Sequence, residues 1–160
     1  MIRASVPADV PALHALIRAL ARYEKLEHAH VGSAAQLGDH LFGARRYCEA
    51  LVADDDAPGG KGVVGFALFF HNYSTFLGQP GIYLEDLYVM PHFRGHGFGK
   101  RLLAHLATLA VERGCGRFEW SVLDWNAPAI GFYKKLGAQP MDDWTIFRVT
   151  GDALQRLARA

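Results

Sequence analysis

No apolar run in this chain approaches the roughly 20 consecutive residues that a membrane-spanning helix requires. Residues 1–7 also lack the long apolar stretch of a signal peptide, so a cytoplasmic protein with no membrane partner is expected. Charge of one sign is missing as well. Lys plus Arg number 17 against 16 for Asp plus Glu, which argues against nucleic acid or an anionic membrane surface as partner. Cysteine is scarce: Cys48 and Cys115 stand far apart with no C-x-x-C spacing, and both are expected to be free thiols. His28 and His30 form an H-x-H pair in a polar stretch, but no third and fourth ligands stand nearby, so no metal is expected. Repeats and low-complexity segments are absent. Half of the 160 residues are apolar, enough for one domain over residues 1–160 with a substantial core.

What the chain does contain is an ordered series of strand and helix patterns. Residues 2–4 read as a strand and residues 7–23 as a helix with Leu13, Leu16, Ile17 and Leu20 on one face. Pro11 falls in the first turns, where a missing N–H is tolerated. Residues 25–43 are polar and irregular, with a short helix predicted over 33–42. Residues 49–53 and 63–70 read as strands joined by Asp54-Asp55-Asp56-Ala57-Pro58-Gly59-Gly60, an acidic loop read as a solvated hairpin tip. Then come a strand over 82–90, a helix over 97–113, a strand over 117–122, a short helix over 127–136 closed by Gly137, and a last strand over 144–149. That order predicts an α/β fold, a mixed sheet with helices on both faces.

Between the strand and the helix that follows it lies Arg94-Gly95-His96-Gly97-Phe98-Gly99-Lys100. A glycine-rich turn that opens a helix aims unpaired backbone N–H groups at a phosphate, and Arg94 and Lys100 add positive charge. The natural ligand is a pyrophosphate. Three residues separate Gly95 from Gly99 and Arg101 follows Lys100, so this is not a Walker A loop for ATP or GTP. Lys100 occupies the place of the third glycine in a dinucleotide fingerprint, which argues against that class too. Taken alone, the loop could also be a flexible turn.

Its flanks decide the reading. Leu84-Glu85-Asp86-Leu87-Tyr88-Val89, the glycine loop, and Trp125-Asn126-Ala127-Pro128-Ala129-Ile130-Gly131-Phe132-Tyr133-Lys134-Lys135-Leu136-Gly137-Ala138 resemble, in order and spacing, the successive motifs of the GNAT superfamily of N-acetyltransferases. Tyr83-Leu84-Glu85-Asp86, Trp125-Asn126-Ala127-Pro128 and Tyr23-Glu24 are similar to the diamine (spermidine/spermine) acetyltransferase group within it. The resemblance implies a mostly antiparallel central sheet whose strands 82–90 and 117–122 splay apart, a homodimer, and acetyl-CoA as co-substrate.

It also implies roles. Leu87, Tyr88 and Val89 would hold the pantetheine arm through their backbone, and Arg94, Gly95, His96, Gly97, Phe98, Gly99 and Lys100 the pyrophosphate. Asn126 would also touch the cofactor, although an N-cap explains it equally. Tyr133 matches the family's proton donor; a phenol with pKa near ~10 can protonate a thiolate whose acid has pKa about 8.5. Without its motif, Tyr133 would read as a tyrosine packed on the core. Glu85 matches the residue that accepts the amine's proton, with Asp86 as a charge on the substrate side. Strand alternation puts Glu85 and Asp86 on opposite faces unless a bulge intervenes. Tyr23, Glu24 and Asp124 match positions lining the acceptor channel, although each could be a plain surface residue.

Glu27-His28-Ala29-His30 is less acidic than the comparable stretch of the polyamine enzymes. A shorter acceptor, such as a small diamine or a lysine analogue, therefore stays open beside a polyamine. Acetylation of a protein lysine or N-terminus, and a non-catalytic CoA sensor, are the rival readings. Direct transfer in a ternary complex is expected, because both cysteines lie outside the motifs.

Overall fold

Strands that are neighbours in sequence are neighbours in the sheet. In the computed structural model, which describes residues 1–160, five strands lie in sheet order β1-β2-β3-β4-β5. They are β1 (Ile2–Ala4), β2 (Glu49–Asp55), β3 (Gly62–Ser74), β4 (Gln79–Val89) and β5 (Arg117–Trp120). The first three junctions are antiparallel. Only β4 and β5 run parallel, connected through helix α3 (Phe98–Glu112). Helices α1 (Val10–Tyr23) and α2 (Ala34–Phe42) complete the unit Met1–Ser121.

The two faces of the sheet follow from alternation. Leu13, Leu16 and Leu20 of α1 and Leu41 of α2 cluster with Ala50, Val52, Phe66, Leu68 and Tyr88. The opposite face carries Phe69, over whose ring the guanidinium of Arg113, at the end of α3, sits at 5.8 Å. Helix α3 buries Leu102, Leu103, Leu106 and Ala110. Phe66 and Leu13 are fully buried, and truncating either to Ala would cost about 2–5 kcal/mol.

Strands β2 and β3 run further than their apolar residues. Asp54 and Asp55 pair with Val63 and Gly62 beyond a bulge at Ala53/Asp54, and polar His71 and Asn72 pair with Ile82 and Gly81. Ladder hydrogen bonds continue where hydrophobic alternation has stopped. The start of the first predicted helix is a 3-10 turn, Pro7–Asp9, where Asp9 accepts from the Val6 N–H at 2.8 Å.

Residues Val122–Ala160 form a second compact unit. It contains α4 (Ala127–Lys135) and a helix the sequence pattern did not predict, α5 (Gly151–Leu157). The strand predicted over residues 144–149 does not form: no residue there belongs to a ladder, and Trp144, Ile146 and Phe147 are 73%, 75% and 91% exposed. A β-like side-chain pattern does not make a strand without a pairing edge.

Candidate active site

The predicted splay is present. Pairing between β4 and β5 ends at Leu84 opposite Trp120, while β4 continues through Glu85–Val89. The Met90 N–H donates to the Val64 carbonyl at 2.9 Å. Antiparallel alternation then turns the backbone N–H and C=O groups of Leu87 and Val89 away from β3, toward the side that β5 has left. An extended ligand can add there as a strand does.

At the end of this edge the chain makes a 3-10 turn, Pro91–Phe93, and then the glycine turn. Gly95 has φ +79° and Gly97 φ +81°, left-handed conformations that favour glycine. Gly97 is the N-cap of α3, and no side chain caps it. The first-turn N–H groups of Phe98, Gly99 and Lys100 lack intrahelical partners. A Cβ added at Gly95, Gly97 or Gly99 would meet nothing within 4 Å, so the space above these N–H groups is open. Lys100 and His96 are exposed beside it. Open N–H groups at a helix start, with positive charge alongside, suit the pyrophosphate of CoA.

The two acidic residues of β4 are brought to one face by a bulge. Leu68 pairs with Asp86 but Phe69 pairs with Leu84, so Glu85 is the extra residue. Tyr83, opposite Phe70, and Asp86, opposite Leu68, share the α1 face, and Glu85 alternates with Leu84 onto that same face. Glu24 lies near them, at the C-cap of α1. Burial, then the charges of Glu85 and Glu24, push the Asp86 carboxyl up to about 7. Burial also raises Glu24. Neither carboxylate has a compensating hydrogen bond among the causes of its shift.

Arg94 lies where the end of β4 meets the end of α1. Its guanidinium lies 4.8 Å from the Tyr23 ring centroid and 5.4 Å from that of Tyr88, and its Nε donates to the Val89 carbonyl at 2.9 Å. These contacts link it to the strand edge and the end of α1. The two tyrosines were its only trace in the sequence, and sequence reasoning did not pair them with it.

In the second unit, Asn126 is buried and caps α4, its Oδ1 accepting from the Ala129 N–H at 3.3 Å. Tyr133 lies about two helical turns further on and is half-buried beside Phe132, ring centroids 5.5 Å apart. Asp124 is exposed in the turn before the cap. The first unit thus assembles Tyr23, Glu24, Glu85, Asp86, Tyr88 and Arg94, and the second carries Asn126 and Tyr133 on one helix.

The model of the acetyltransferase (GNAT) family matches residues 13–138. The chain belongs to the GNAT family. This N-acetyltransferase is 40% identical to thialysine N-epsilon-acetyltransferase of Mus musculus, over 98% of this chain and 96% of that protein. It is 35% identical to L-ornithine N5-acetyltransferase NATA1 of Arabidopsis thaliana, over 98% of this chain and 86% of that protein. Among solved structures, an integron cassette protein from the mobile metagenome of V. cholerae superimposes with a TM-score of 0.82 at 26% identity, covering 100% of this chain and 98% of that one. The open, mostly antiparallel sheet described above is consistent with the GNAT fold.

Proposed function

We propose that this GNAT enzyme moves the acetyl group of acetyl-CoA directly onto a primary amine of a small molecule: a polyamine, a diamine or a lysine analogue. The observation that carries the reading is the face holding Glu24, Glu85 and Asp86, carboxylates with no cation of the protein paired to them, beside the free β4 edge and the open glycine turn. Clustered unpaired carboxylates suit a cationic ligand, and an amine arrives as its ammonium. Relatives that act on L-ornithine and thialysine support a short acceptor bearing one reactive amine.

In this reading, the edge of β4 from Leu87 through Tyr88 to Val89 holds the pantetheine arm, the outward backbone groups being those of Leu87 and the Val89 N–H, and Gly95 to Lys100 hold the pyrophosphate, with Asn126 supporting the cofactor. Tyr23, Glu24, Asp86 and Asp124 form the acceptor site. Glu85 takes a proton from the ammonium, directly or through water, and the neutral nitrogen attacks the thioester carbonyl. The C–N bond forms, the C–S bond breaks, Tyr133 protonates the departing thiolate, and the second proton that the nitrogen sheds on becoming an amide restores the Tyr133 phenol through water. No covalent enzyme intermediate is needed. Residues 1–160 work as one acetyltransferase domain, supported by a family match that runs through both compact units. The enzyme is cytoplasmic and uses no metal. It is a homodimer in which residues 144–149, exposed and apolar, pack against a second copy.

The test is a panel containing L-ornithine, thialysine, spermidine and a lysine peptide, incubated with acetyl-CoA and read by thiol release. Release with the small amines supports the reading. Release with the peptide alone moves the enzyme to protein acetylation, and CoA binding without release makes it a sensor.

A further inference from the structure

We propose that Tyr83 and Phe70 set the acceptor specificity of this enzyme, forming an aromatic ledge beside Glu85 and Asp86 that takes the carbon chain of a diamine. This rests on the acetyltransferase reading above. Strand register carries the placement. On the α1 face, β3 presents Leu68 opposite Asp86 and then, two residues further on, Phe70 opposite Tyr83. At about 3.4 Å per residue, the Phe70–Tyr83 pair stands about 7 Å along the strands from the Leu68–Asp86 pair. Both aromatic residues are half-buried, with ring centroids 5.2 Å apart and planes tilted by 34°, within the range of a favourable aromatic pair.

The ledge is held where the two strands part. Leu84 opposite Trp120 is the last ladder pair between β4 and β5, and the Tyr83 phenol shares a hydrogen bond of 2.7 Å with the hydroxyl of Ser121, one residue past that pair. A ring bonded at its hydroxyl and packed at its side has little freedom left to lose when a ligand arrives. What the ledge offers is carbon rather than charge. Glu119, opposite Tyr83 on β5, is already engaged: its Oε2 accepts from Asn72 Nδ2 at 2.8 Å and lies 2.9 Å from Arg117 Nε. The unpaired carboxylates stand to one side, at Glu85 and Asp86 on β4 and Glu24 at the end of α1. One ammonium is gripped there, and the methylene chain behind it runs over the two rings.

In this geometry 1,5-diaminopentane reaches the ledge and 1,2-diaminoethane does not. Wild-type kcat/KM, read by thiol release, should favour the longer diamine by at least about tenfold. Tyr83→Ala should lower that ratio at least about tenfold, with kcat/KM for 1,2-diaminoethane and KM for acetyl-CoA held within about threefold. Tyr83→Phe keeps the ring and should keep the ratio within about threefold. An unchanged ratio in Tyr83→Ala, or an equal loss with both diamines, would overturn the proposal. So would a wild-type ratio near one, or a ratio lost as fully in Tyr83→Phe as in Tyr83→Ala, which would assign the effect to the hydroxyl. Should Tyr83→Ala fail to fold, Phe70→Ala decides by the same ratio. Absence of thiol release by the wild type with every amine would instead remove the acetyltransferase reading, and the ledge with it.

Discussion

Two groups of carboxylates in the first unit are built in opposite ways. Glu49, on β2, receives both Nη atoms of Arg113 at 2.6 and 2.8 Å, and that guanidinium holds its carboxyl below the usual range. Arg113 also donates to His71 Nε2 at 2.9 Å, tying the end of α3 to β3. Asp86, on β4, is more buried, has two other carboxylates for neighbours and no cation, and is pushed up to about 7. The first group contributes to the stability of the fold. The second costs stability, and a cost of that kind is retained where a ligand supplies the missing charge.

The strongest way to sharpen this contrast is to leave both carboxylate groups intact and remove the proposed proton donor. Tyr133→Phe should keep CoA affinity, measured by calorimetry, while thiol release slows by about 10² to 10⁴. Full activity would make the phenol structural. Next in size, Gly97→Asp should weaken CoA binding by at least about tenfold. Its Cβ meets open space, but the position is left-handed and the carboxylate would stand among the N–H groups proposed to bind phosphate. Unchanged affinity would remove the turn from the cofactor site.

Glu85→Gln should lower turnover in a pH-dependent way. An amine with pKa near ~10.4 sheds its own proton increasingly as pH rises, so the defect should shrink toward alkaline pH in a rate profile. A defect of constant size would assign Glu85 to binding. The smallest effect concerns the paired group. Arg113→Ala should cost about 1 kcal/mol in denaturant unfolding, because the pair is partly exposed, and leave acetyl transfer unchanged. Because the folded-state pKa of Glu49 is depressed, its contribution is present above the unfolded carboxylate pKa and disappears as pH falls through the folded value.

How much of this was legible beforehand differs by residue. The glycine turn and the strands over residues 63–70 and 82–90 were readable because Gly95, Gly97 and the run of strand-forming residues encode local geometry. The shared face of Glu85 and Asp86 was not, since the bulge depends on the register between β3 and β4, which no single strand records. The contacts of Arg94 were not legible for a similar reason: Tyr23 belongs to an element set beside it only by the fold. Residues 144–149 carry strand-forming side chains but no partner in their own chain's sheet, and α5 lay behind them unannounced.

The most direct test of the central contrast compares Asp86→Asn with Glu49→Gln in thiol release with a short diamine and in thermal unfolding. Asp86 has a folded-state pKa above its unfolded one, so its cost is absent below the unfolded pKa and grows as pH rises toward about 7. Asp86→Asn should therefore raise Tm at about pH 8 but not at about pH 4, while kcat/KM for the amine falls at least about tenfold. Glu49→Gln should lower Tm and keep kcat/KM. Wild-type kcat/KM in Asp86→Asn, or an equal loss of activity in Glu49→Gln, would contradict the assignment of the unpaired carboxylates to substrate.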